Sequence, residues 1–276
     1  MKYPFATFVF VLALSCFATL QILCGQIVAA SPLSSPRVGV VRYASSGVYL
    51  LYGLPGNYVV GPRVLDGVDD ASFSEQGGMV ARNGSLTLLG SDLSAVGTVE
   101  TGETKPVLGM DGDLTTAIAW LPSAQRLVHW NGQAFASVSA PDLSREGSVS
   151  SVSKRDSKTA WLLLHSSSGS VSEASVSLET GQLISVTTLA GARGQAFRQR
   201  SFVIFPDKQE LVITAPSNGD AKRLPLAGND LKVERVSSDC LHVSSPAAQR
   251  DWLLHFHGGN FDLTELPPPP STETAK

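Results

Sequence analysis

Five histidines and two groups of carboxylates carry most of the side-chain chemistry this sequence offers. His255 and His257 stand two residues apart, and in a strand residues i and i+2 leave from one face. They therefore form a candidate ligand pair for a borderline metal. His129 holds the place of His255 in an earlier copy of the same phrase, and that recurrence favours a structural histidine, hydrogen-bonded between packed sheets, over a ligand. His165 and His242 fall in or near other apolar runs. Asp69 and Asp70 (with Asp66) and Asp111 with Asp113 lie in segments that read as loops. A hard cation wants many oxygens, yet this spacing matches no calcium loop, and Asp beside Gly is ordinary turn chemistry. There is no Gly-x-Ser-x-Gly turn and no His-Glu-x-x-His helix. The expectation is no catalytic residue, no resident metal and no cofactor. The alternative is a bound metal, with His129, His255 and His257 as candidate ligands of a borderline ion and Asp69, Asp70, Asp111 and Asp113 as candidate ligands of calcium.

The elements that must position these groups are set by a repeat. Leu127-Val128-His129-Trp130-Asn131-Gly132-Gln133-Ala134-Phe135 returns as Leu253-Leu254-His255-Phe256-His257-Gly258-Gly259-Asn260-Phe261. The offset of 126 residues is three times 42, and a period of about 40–45 residues is one β-propeller blade. Short apolar runs alternate with turn residues, and no stretch sustains a 3.6-residue period. Asn83-Gly84, Asn131-Gly132, Asn218-Gly219 and Gly258-Gly259 supply the positive φ that two-residue hairpins need. Six units are centred near residues 50, 80, 126, 160, 210 and 250. Ser148–Ser153 reads as a Ser-rich connection that stretches the spacing between units.

In the fifth unit Ser201-Phe202-Val203-Ile204-Phe205 runs through Pro206-Asp207-Lys208-Gln209 into Glu210-Leu211-Val212-Ile213-Thr214. Ala71–Gly78 and Trp120-Leu121-Pro122-Ser123 offer similar phrases. This resembles the degenerate blade signature of WD40-like and TolB-type propellers, and the resemblance implies the superfold without selecting a member of it. The fold expected is all-β, a single propeller of about six blades. The last blade is cut short by Pro267–Pro270, since proline cannot donate to a ladder, so a strand near Arg37–Tyr43 is expected to complete it and close the ring. A β-sandwich is the alternative.

Lys2, the apolar run Phe5–Cys24 and Val28-Ala29-Ala30 read as a secretory signal, residues 1–30. The run is also long enough for an uncleaved anchor over residues 5–24, in which case membrane contact is confined to residues 1–30. Residues 31–266 then form the propeller and 267–276 a Pro-rich disordered tail. Only Cys240 lies beyond the signal, so no internal disulfide forms. Loss of Lys2 takes the net charge from −3 to −4. Without a basic patch, nucleic acid is excluded as a partner. The functional expectation is an exported binding or scaffold module, periplasmic or extracellular, that meets a protein, a peptide or cell-envelope material with one face of the ring. An enzyme of the lactonase, lyase or glycosidase kind with its site at the central channel is the alternative.

Overall fold

The computed structural model describes residues 36–43, 47–215, 220–257 and 259–270. The expected signal or anchor, the Asn218-Gly219 turn and the last six residues lie outside them. The strands form six antiparallel sheets in chain order. Blade one is β1 (Arg37–Tyr43), β2 (Gly47–Leu54) and β3 (Asn57–Leu65). Blade two is β4 (Asp70–Ser74), β5 (Gly77–Arg82), β6 (Ser85–Gly90) and β7 (Ala95–Glu100). Blade three is β8 (Val107–Gly109), β9 (Ile118–Leu121), β10 (Arg126–Trp130) and β11 (Phe135–Ser139). Blade four is β12 (Ser148–Lys154), β13 (Thr159–His165), β14 (Ser170–Ser177) and β15 (Leu183–Arg193). Blade five is β16 (Phe197–Gln199), β17 (Phe202–Asp207), β18 (Glu210–Thr214) and β19 (Ala221–Pro225). Blade six is β20 (Lys232–Arg235), β21 (Cys240–Ser245), β22 (Arg250–His257) and β23 (Asn260–Glu265).

Period-two alternation sends successive side chains of a strand to opposite faces, and each face meets a different neighbour. Val40 packs with Phe73 and Val80 of blade two, whereas Val41 packs with Val236 and Leu253 of blade six. Leu162 joins Trp120 of blade three, and Leu163 joins Phe205 of blade five. Leu254 and Phe256 meet Ile204 and Ile213 of blade five. With Met79 and Leu88 against Trp130 between blades two and three, there are six cores, one for each adjacent pair of blades. A sandwich would have one core between two sheets, so this is a β-propeller of six blades.

Ring closure differs from expectation. β1 pairs with β2, in the register Val40↔Leu50 and Arg42↔Val48, and blade six takes all four strands from Lys232–Glu265. A hairpin partner a few residues away closes far less chain than one at the opposite terminus. The ends of the ring are joined instead by packing. Tyr43, Tyr49, Leu51 and Tyr58 bury against Cys240, Leu253 and Leu266, and the Tyr43 hydroxyl donates to the Pro267 carbonyl at 2.8 Å. Gly39 permits this closeness, because a Cβ there would stand 2.6 Å from the Val236 carbonyl oxygen.

The serines of Ser148–Lys154 form a strand and not a connection. Val152 packs in the core shared with blade three, while the Ser150 hydroxyl donates to the Ala196 carbonyl at 2.8 Å. Small side chains suit an innermost strand, where blades crowd together. Asn131-Gly132 is likewise not a two-residue turn. The loop runs 131–134, and the Asn131 side-chain oxygen accepts from the amides of Gln133 and Ala134, each at 2.9 Å. Asn83-Gly84 does form the expected turn, with φ of 50° and 79°, directly between β5 and β6.

Candidate functional site

First strands of neighbouring blades approach one another, β1 with β4, β4 with β8, β8 with β12 and β12 with β16, and β20 of blade six comes directly against β4 of blade two. They and their adjoining loops place three arginines among carboxylates from other blades. Arg42 of β1 donates to Glu234 of β20, and its guanidinium is 3.7 Å from Asp70 of β4. It also donates to the Asp69 carbonyl at 3.0 Å. Arg235, next to Glu234, is 2% exposed and lies 3.5 Å from Asp111. It donates to the Arg198 carbonyl at 2.6 Å and stacks over Phe197. Arg198 in turn pairs with Glu173 and covers the Trp161 ring. Glu75 accepts from the amide and hydroxyl of Ser238. Each of these axial carboxylates therefore already has a cation or a donor from another blade.

Desolvation, then the Glu234 carboxylate, raises the Asp70 pKa to about 7 against the opposing pull of Arg42. A raised carboxyl pKa means the folded state holds a proton that the unfolded chain has released, so between about pH 4 and 7 stability falls as pH rises. Asn mimics the protonated side chain. Asp70→Asn is expected to match the parent at pH 4 and to exceed it by about 1 kcal/mol at pH 8, after allowance for its partial exposure. Thermal melts at the two pH values check this, and a parent more stable than the variant at pH 8 would refute it.

The sequence candidates thus part company. Asp69 accepts from the Asn83 amide at 2.8 Å, Asp70 faces Arg42, and Asp111 faces Arg235. Asp113 caps a single 3-10 turn, Leu114–Thr116, by accepting from the Thr115 amide. No shared oxygen cage joins them. His129 is buried in β10, its pKa lowered by burial and by Lys154. His242 is bound to Asp251 at 2.7 Å. Only His255 and His257 come together, and with Asp262 they form, among the described residues, the only group of three or more able to share an ion. Asp262 was readable: counting outward from a turn at Gly258-Gly259 places it opposite His255.

No protein-family model matches the sequence, and no curated protein is similar to it. What can be stated is the fold, a β-propeller of six blades. Solved structures with low similarity to the chain include Hsv2 of Kluyveromyces lactis, at 11% identity over 81% of this chain and 82% of that one, with a TM-score of 0.41. BamB from Moraxella catarrhalis is 13% identical over 83% and 76% of the two chains, with a TM-score of 0.38. PorZ, a surface component of the type-IX secretion system of Porphyromonas gingivalis, is 13% identical with a TM-score of 0.46; the match covers 83% of this chain and 31% of PorZ. The likeness is one of fold.

The outer edges of the propeller differ sharply from blade to blade. β19 carries Lys222, Arg223 and Pro225, β23 carries Asp262 and Glu265, β3 carries Pro62 and Arg63, and β7 and β11 have six and five residues. Charge, proline and shortness are the usual means of blunting an edge. β15 is long and without proline: it runs eleven residues and holds no charge from Leu183 to Ala192, with Arg193 at its end, although its ladder with β14 shifts register twice and is interrupted between Thr188 and Arg193. It is paired on one side only, with β14. Leu183, Ile184 and Val186 are exposed along it, Ile184 by 60%. Sequence reasoning passed over this strand because Leu183–Ala192 reads like any other apolar run.

Proposed function

We propose that the chain is an exported, non-catalytic binding module that takes up an extended segment of a partner protein as a fifth strand on the outer edge of blade four. The observation that carries this reading is β15, an edge strand without charge or proline from Leu183 to Ala192 and with exposed aliphatic side chains along the stretch Leu183–Thr188 that pairs with β14. Strand addition draws affinity from main-chain hydrogen bonds and selectivity from alternate side chains. Leu183, Ile184 and Val186 favour apolar residues in the partner, and the absence of nearby charge on the strand favours a neutral segment. The secretory character of residues 1–30 supports a site of action in the periplasm or outside the cell. Pairing of the axial charges with one another supports a binding role over channel-centred catalysis.

Selection of displayed ten-residue peptides against the purified protein tests the reading. Selected peptides are expected to alternate apolar residues and to slow amide hydrogen exchange in Leu183–Arg193. The double variant Ile184→Lys/Val186→Lys should weaken them by about tenfold or more, since charge on an edge strand disfavours pairing. Peptides that protect another surface, or bind the double variant equally well, would refute it. Self-association of the parent that the double variant abolishes would make a second copy the occupant and also refute it.

A further inference from the structure

The outer hairpin of blade six supports a separate inference. β23 sets Asp262 directly opposite His255 and Asn260 opposite His257, so all four side chains leave from one face. The two imidazole centroids are 5.4 Å apart, and His257 Nδ1 is 3.5 Å from Asp262 Oδ2. One donor atom from each of His255, His257 and Asp262 lies within 4.8 Å of the others. His255 Nδ1 is buried and has no hydrogen-bond partner.

Blade three supplies an internal control. Its copy of the phrase keeps His129, yet the positions equivalent to His257 and Asp262 are Asn131 and Ala136. The recurring histidine therefore belongs to the blade, whereas the second imidazole and the carboxylate are particular to blade six. The hairpins differ accordingly. In blade three pairing stops at Trp130↔Phe135, but in blade six it continues past Phe256↔Phe261 to His257↔Asn260. That extra pair keeps His257 in register beside His255.

We propose that His255, His257 and Asp262 bind one borderline divalent cation of the zinc class. Two imidazole nitrogens and one carboxylate oxygen suit zinc, whose bonds to such donors are about 2.0–2.2 Å, and they suit calcium poorly, because calcium is held by oxygen alone. His257 and Asp262 are exposed, at 47% and 59%, and small rotations of these side chains bring the donors to bonding distance. Three protein ligands leave a fourth position for water or for the Asn260 side chain.

Calorimetric titration of the tag-free protein with Zn2+ tests the site. One Zn2+ per chain is expected. His257→Ala and Asp262→Ala should each weaken binding by about tenfold or more, while His165→Ala on blade four leaves it unchanged. Both site positions are exposed, so melting curves of the metal-free variants should coincide with that of the parent. Co2+ should give a visible d–d spectrum that both variants lose. Absence of Zn2+ binding by the parent, retention of binding by both variants, or displacement of Zn2+ by equimolar Ca2+ would overturn the assignment.

Discussion

Asp111→Asn is expected to destabilise the protein by about 3 kcal/mol, although Asp111 itself is partly exposed. Its carboxylate is the one within 4 Å of Arg235 among the described residues, and Arg235 is the more deeply buried member of the pair. The guanidinium keeps one hydrogen bond, to the Arg198 carbonyl, while its Nε and the Nη1 that faces Asp111 have no hydrogen-bond partner. Burial lowers the Arg235 pKa, with Asp111 and then Glu75 acting against it. Removing the carboxylate leaves a desolvated charge beside the axis with little to balance it. Breaking a buried pair from one side costs about 3–5 kcal/mol, and the residual field of Glu75 argues for the lower end. Arg235→Met should behave in the opposite way, because an apolar side chain of similar volume needs no counterion and Asp111 is free to hydrate; neutral to modest stabilisation is expected. The double variant should then recover most of what Asp111→Asn loses. Urea denaturation of the four proteins closes the cycle. Additive losses in the double variant would mean that Asp111 acts independently of Arg235.

Blade architecture was legible in the sequence because it rests on period-two alternation and turn chemistry. The six expected centres each fall in a second or third strand of one blade. Pairs such as Leu162 and Leu163, serving opposite cores, explain why strands buried on both faces read as continuous apolar runs. The strand phrases were less discriminating. Ala71–Gly78 joins the first and second strands of blade two, whereas Phe205-Pro206-Asp207 leads from the second to the third strand of blade five. Any tight antiparallel corner selects similar residues, so the phrase marks hairpins and not blade position. Ring closure was misread because the proline run truncates the chain in the right place without saying that blade six is already complete. The axial network was hidden for another reason. Arg42, Asp70 and Glu234 are as far apart as 192 residues, and only the closure of six blades brings their charges together. His255 and His257 were visible as a pair because they are local, and Asp262 lay one hairpin count away.

Phe256→Ala should be among the most damaging substitutions in the molecule, with a loss of about 3–5 kcal/mol. Phe256 is 2% exposed, lies in the core between blades five and six, and has ring neighbours Phe202 at 5.5 Å and Phe261 at 6.0 Å. Trp130 fills the same place in the earlier copy of the phrase, edge to face with Phe135 at 5.2 Å and over Gly97 of blade two. The repeated phrase is thus a packing device: an aromatic near the end of a third strand clasps one that opens the fourth. Phe256→Leu retains most of the apolar volume and should lose no more than about 2 kcal/mol. Trp130→Ala should match Phe256→Ala, and because the two cores share no residue, their effects should add to within about 0.5 kcal/mol. The shape of the transition carries further information. Every sheet contributes to two cores, so a defect in one core weakens both of its blades and, through them, the next pair around the ring. The double variant should therefore unfold in a single transition at lower urea with an unchanged slope. Two separated transitions would show that opposite halves of the ring fold as independent units, and the six cores would then not act as one cooperative circle.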